Sequence, residues 1–174
     1  MSAPKVNLRM SKKENNNMRK TTAISTMLML VGALCASFAA AQTTPDLSGT
    51  WKMNPAKSKA ERPLPSGIKV KFDQKDSSFK EMLTMAFGNN EQSAEYEYAA
   101  DGKEVEPADP KIPYTITAKW EGKSLVQTLK QKGKSQGFTR KFTLSDDGKS
   151  ISLVIENPNA DGSKTVDTLF LEKQ

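Results

Sequence analysis

The segment Phe138-Thr139-Arg140-Lys141-Phe142 is where residue type and spacing first suggest chemistry in this chain. Side chains alternate between faces along an extended strand, so Arg140 shares a face with Phe138 and Phe142 and points into whatever that face buries. By the same count, Glu81 falls among Phe79, Leu83 and Phe87. An inward charge has to be paired or solvated, because a bare one in an apolar interior is strongly unfavourable. Four arrangements satisfy that condition. Arg140 holds the carboxylate or phosphate head of a bound molecule, pairs with Glu81, lies as a cation over Trp51, or is turned outward by a bulge. The inward aromatics either line a pocket for an apolar molecule or fill the same space. Tyrosines favour the pocket, since their hydroxyls need partners or solvent. The candidate ligand-binding set is therefore Arg140, Tyr96, Tyr98, Tyr114, Trp120 and Phe72. An internal cavity above about 300 Å³, the lower end for ligand pockets, separates a pocket from a filled core.

Much other chemistry is excluded. The chain has no His, and its one Cys, Cys35, lies in the leader described below. That removes disulfides, thiolate or imidazole metal sites, Cys or His nucleophiles and His-ligated haem. Asn157-Pro158-Asn159-Ala160-Asp161-Gly162 matches the first half of a calcium loop, but Thr168 stands where the bidentate Glu belongs, so the segment reads as a hairpin turn. Asp146-Asp147 and the Glu104, Glu106, Asp109 cluster read as solvated loops rather than acid/base pairs. No metal, cofactor or catalytic residue is expected.

The elements that must position Arg140 are short runs with period two. Ile68, Val70 and Phe72 alternate with Lys69, Lys71 and Asp73. Further runs carry Ala94, Tyr96 and Tyr98, then Tyr114 to Trp120, then Leu125 and Leu129, then Phe138 to Leu144, then Ile151, Leu153 and Ile155. The last places Val166, Thr168 and Phe170 inward. Asp101-Gly102, Glu121-Gly122, Asp147-Gly148 and Asp161-Gly162 put Gly where a tight hairpin needs positive φ. Residues 78–88 fit both periods, and strand is preferred because a meander wants a partner between Phe72 and Tyr96. Asn54-Pro55 opens a short helical turn. Sequential hairpins without a crossover helix predict an all-β antiparallel up-and-down meander of about eight strands that closes into a barrel.

Residues 1–41 read as a secretory leader. Met18-Arg19-Lys20 precedes the apolar run Ile24 to Phe38, and Ala39-Ala40-Ala41 gives the cleavage signature before Gln42. Starting translation at Met18 leaves the more compact leader. Removing residues 1–41 takes six of the 26 basic and one of the 20 acidic residues, leaving 20 against 19. A near-neutral domain spanning 42–174 has no electrostatic footprint for nucleic acid. Lys69, Lys71, Lys119 and Lys141 on the second faces argue against stable membrane insertion.

Asp46-Leu47-Ser48-Gly49-Thr50-Trp51, with Lys119-Trp120-Glu121-Gly122 and Phe142 to Lys149 later, resembles small secreted bacterial lipocalin-like (calycin-type) proteins. The resemblance implies a barrel, with Gly49 and Trp51 opening its first strand and Trp51 closing the floor beneath a basic side chain. The expected protein is thus a periplasmic or secreted, non-catalytic barrel binding a small, largely apolar ligand. The alternative is an extracytoplasmic protein-protein or cell-surface interaction module with a filled core.

Overall fold

The computed structural model describes residues 44–134 and 136–174, which form ten strands and one 3-10 turn. The strands are β1 (Gly49–Met53), β2 (Gly67–Lys75), β3 (Ser78–Phe87), β4 (Asn90–Ala99) and β5 (Asp101–Val105), followed by β6 (Tyr114–Glu121), β7 (Ser124–Gln131), β8 (Gly137–Leu144), β9 (Ser150–Pro158) and β10 (Lys164–Lys173). The expected leader and the Met18 start lie outside the described residues.

Hydrogen bonding orders the strands β4-β3-β2-β1-β10-β9-β8-β7-β6-β5. First and last strands meet, with Trp51 opposite Lys173 and Met53 opposite Leu171. The ladder instead ends at β4 and β5, so the barrel is nearly closed, with a seam between two strands that follow each other in sequence. β5 explains the seam. Asp101 to Glu104 are all exposed, the register shifts between Asp101 and Glu104, and the Lys103 N–H is taken by the Asp101 side chain. A strand whose one apolar side chain, Val105, sits at its end gains little by pairing on both edges.

The expected count of eight therefore becomes ten. β5 has no alternation to detect, and β1 is a five-residue strand recognisable by Gly49 and Trp51 rather than by period. Residues 78–87 are strand, as the meander requires, with Leu83 opposite Val70 and Glu81 opposite Phe72. β10 corrects another expectation. Asp167, Leu169 and Leu171 are buried, whereas Val166 is 42% exposed. Both faces of β10 carry apolar residues, so alternation does not choose between them; pairing with Leu153 and Ile151 of β9 does.

The turn glycines behave as their context requires, with φ between 60° and 84° at Gly102, Gly122, Gly148 and Gly162. Asn54 caps the 3-10 turn Pro55–Lys57 by accepting from the Ala56 N–H. Beyond that turn the chain crosses one end of the barrel. Lys59 and Thr168 exchange two backbone hydrogen bonds of 2.7 Å, and Arg62 pairs with Asp167 at 2.8 Å. The opposite end is closed by Trp51, which is fully buried and donates to the Leu47 carbonyl at 2.8 Å. The Lys173 ammonium lies over the Trp51 ring, 5.2 Å from its centre.

Candidate functional site

Arg140 on β8 and Glu81 on β3 meet across the barrel, since β2, β1, β10 and β9 separate their strands in the ladder. Nη1 of Arg140 is 3.0 Å from Oε1 of Glu81, and the two side chains are 4% and 0% exposed. Of the four arrangements open to Arg140, the pairing with Glu81 is the one formed. The guanidinium does not reach Trp51; it lies over Tyr96 at 5.5 Å and Phe142 at 5.7 Å.

The other oxygen of Glu81 accepts from the Tyr98 hydroxyl at 2.8 Å and from Nε2 of Gln127 at 2.7 Å. Nε2 of Gln127 also contacts the Tyr98 hydroxyl. Register brings these groups together, with Gln127 opposite Arg140 and Glu81 opposite Tyr96. Burial pushes the Tyr98 hydroxyl well above its ordinary pKa, and the Glu81 charge pushes the same way. Tyr96 is raised as well, chiefly by burial, with the Arg140 cation acting against it.

This polar cross-bar leaves both donors and acceptors unused, the acceptors being Oε1 of Glu81 and Oε1 of Gln127. Although Nη1 is close to Glu81, its N–H is not aligned on Oε1, so the contact is an ion pair rather than a hydrogen bond. Nε and Nη2 of Arg140 are buried with no hydrogen-bond partner among the described residues.

The cross-bar divides the interior. On the Trp51 side, aromatic rings fill the space: Phe72 meets Phe142 edge-on at 5.2 Å, Phe79 stacks on Tyr98 at 5.4 Å, and Trp120 lies 6.1 Å from Phe79. On the other side is a mainly apolar cavity of about 230 Å³, lined by Arg140, Tyr96, Tyr114, Leu129, Phe138 and Leu153 among others. Its volume is below the roughly 300 Å³ of the smaller ligand pockets, yet the space is not filled. Ile68, Met85, Ile155 and Leu169 separate it from a groove of about 340 Å³ beneath Arg62, Pro63, Leu64 and Pro65.

Of the six expected ligand residues, Arg140, Tyr96 and Tyr114 line the cavity. Tyr98 belongs to the cross-bar, and Phe72 and Trp120 pack in the filled half. Gly49 has φ 128° and Trp51 is fully buried. Among the buried polar residues, Gln127 and Asp167 are not expected from the sequence reading. Gln127 lies between Leu125 and Leu129 at period two, a signal the sequence does carry. Asp167 lies on the buried face of β10 with Leu169 and Leu171, one residue out of step with the expected Val166, Thr168 and Phe170. Among the described residues no cluster of acidic or sulfur ligands could hold a metal.

Comparison with protein-family models and with curated proteins returns no match. Solved structures share the fold. Zebrafish ileal bile acid-binding protein complexed with cholic acid superposes with a TM-score of 0.53 at 15% identity, over 73% of this chain and 98% of that one. For Echinococcus granulosus fatty-acid-binding protein 1 the values are 0.52, 12%, 73% and 96%. For secretory abundant heat soluble protein 4 of Ramazzottius varieornatus they are 0.51, 13%, 73% and 94%. The chain thus has the β-barrel fold of fatty-acid- and bile-acid-binding proteins, with ten strands where a lipocalin has eight. Such likeness establishes fold alone, because one fold hosts many functions.

Proposed function

We propose that this chain is an exported, non-catalytic barrel that holds a small, largely apolar ligand in the cavity between the cross-bar and the Arg62–Asp167 end. The observation that carries this reading is an apolar cavity of about 230 Å³ whose wall includes a guanidinium with unused donors. An apolar cavity of about 150 Å³ admits benzene, so in proportion this one takes roughly nine non-hydrogen atoms. Longer ligands require Met85 or Ile155 to move and join the cavity to the adjoining groove. Two of the fold neighbours are named for binding bile acids or fatty acids, which agrees with an apolar cargo. The leader supports a periplasmic or secreted location. Exposed Lys69, Lys71, Lys119 and Lys141 on the outer face fit a barrel surrounded by water rather than lipid. No helix among the described residues is long and apolar enough to cross a membrane.

The test is an NMR titration of the full chain with n-propylbenzene, which has nine carbons. Saturable shifts confined to methyls of Ile68, Leu129, Leu153 and Leu169 are the expected result. Shifts scattered over the outside, or none, exclude the cavity as a binding site. The interaction-module reading draws support from the modest cavity size, and Phe87, 48% exposed beside Pro63 and Leu64, would be its natural contact.

A further inference from the structure

The geometry points to a cavity that selects a neutral, hydrogen-bond-accepting head group over a carboxylate; this rests on the cavity being a ligand site. Arg140 is the charged residue in the cavity wall, and Glu81 already neutralises it across the barrel at 3.0 Å. At the nearby groove the buried carboxylate of Asp167 is likewise matched by Arg62. Interior and mouth therefore hold two carboxylates against two guanidiniums. A ligand carboxylate would be a third anion, desolvated and repelled by the fully buried Glu81. A neutral acceptor adds no charge.

The polar demand of the site is nonetheless real. A guanidinium carries donors only, and Nε and Nη2 of Arg140 have no partner among the described residues. A head group that meets them must accept, as the oxygen of an amide or alcohol does, and the N–H or O–H of such a group can also donate to Oε1 of Glu81 or Gln127, which have no partner either. A cation is excluded by Arg140 itself. The faces of Tyr96 and Phe142 against the guanidinium hold it at the cavity wall, so the head group comes to the arginine and not the reverse. The apolar remainder of the cavity takes the tail.

Heptanamide and heptanoate test this, because they match in length and non-hydrogen atom count and differ in charge at pH 8. In NMR titrations of the full chain, heptanamide is expected to bind at least tenfold tighter than heptanoate. Glu81→Gln keeps an oxygen to accept from Tyr98 and Gln127 but leaves Arg140 uncompensated. It should strengthen heptanoate at least tenfold, change heptanamide less than threefold and so erase or reverse the preference. If that variant does not fold, the wild-type protein decides by pH: heptanoate binding should tighten steadily as pH falls toward 5 and the neutral acid accumulates, while heptanamide binding stays flat. Equal affinities at pH 8, or a Glu81→Gln variant with an unchanged ratio, overturn the neutral-head inference and leave the cavity reading intact. Failure of both compounds and of n-propylbenzene to bind overturns the cavity reading itself.

Discussion

Replacing Arg140 with Met, Glu81 with Leu, and both together dissects the cross-bar by its energetics. Arg140→Met strands the Glu81 carboxylate, which is 0% exposed and retains two donors, Tyr98 and Gln127. Breaking a buried pair in this way costs about 3–5 kcal/mol. Glu81→Leu strands the guanidinium and also removes the acceptor from Tyr98 and Gln127, adding about 1–3 kcal/mol for donors left unsatisfied. The double variant buries no charge, and Tyr98 and Gln127 still meet each other. Its loss should therefore be smaller than that of Glu81→Leu alone, with a coupling of at least about 3 kcal/mol in the cycle. Urea unfolding followed by the fluorescence of Trp51 and Trp120 measures all four proteins. Single variants that each lose under about 1 kcal/mol, or losses that add to within about 0.5 kcal/mol, would refute a tightly coupled buried pair.

Three further outcomes follow from the same geometry. The raised hydroxyls of Tyr96 and Tyr98 keep their protons in the folded state beyond the unfolded value near 10. The stability they contribute is complete below that pH and is lost as pH climbs through the folded values; a 295 nm absorbance titration of a Tyr114→Phe variant should show Tyr96 and Tyr98 ionising only with unfolding, and Tyr98→Phe should soften the alkaline loss. Gly49→Ala forces a side chain onto φ 128°, where its Cβ would also lie 3.0 Å from Cε of Lys173. Strain of about 1–3 kcal/mol should appear as a lower urea midpoint, and an unchanged midpoint refutes the role given to that backbone. Arg62→Ala removes the counter-charge of Asp167, but Arg62 is 56% exposed, so the stability loss should be only about 0.5–1 kcal/mol. Amide exchange at Lys59 and Thr168 should quicken with it; unaltered exchange means the backbone bridge alone holds that segment.

Period two carried most of the architecture. Ile68, Val70 and Phe72 declare their face because the intervening Lys69 and Lys71 are polar, and the Gly turns mark where each strand reverses. The same rule pointed Arg140 and Glu81 inward, and both are buried. It failed where its premise failed. β5 has only Val105 to betray it, and β10 has apolar residues on both faces, so their positions follow from pairing with β6 and β9.

Which residues form the site is a different kind of question. The sequence alone determines that charged and aromatic side chains point inward, because that is a property of local alternation. Only the tertiary structure decides that Glu81 meets Arg140, that Phe72 and Trp120 fill one half of the barrel, and that Tyr96 and Tyr114 face open space in the other. Those outcomes depend on how the sheet curls and on shear between strands far apart in the chain, and no spacing within a single strand records either.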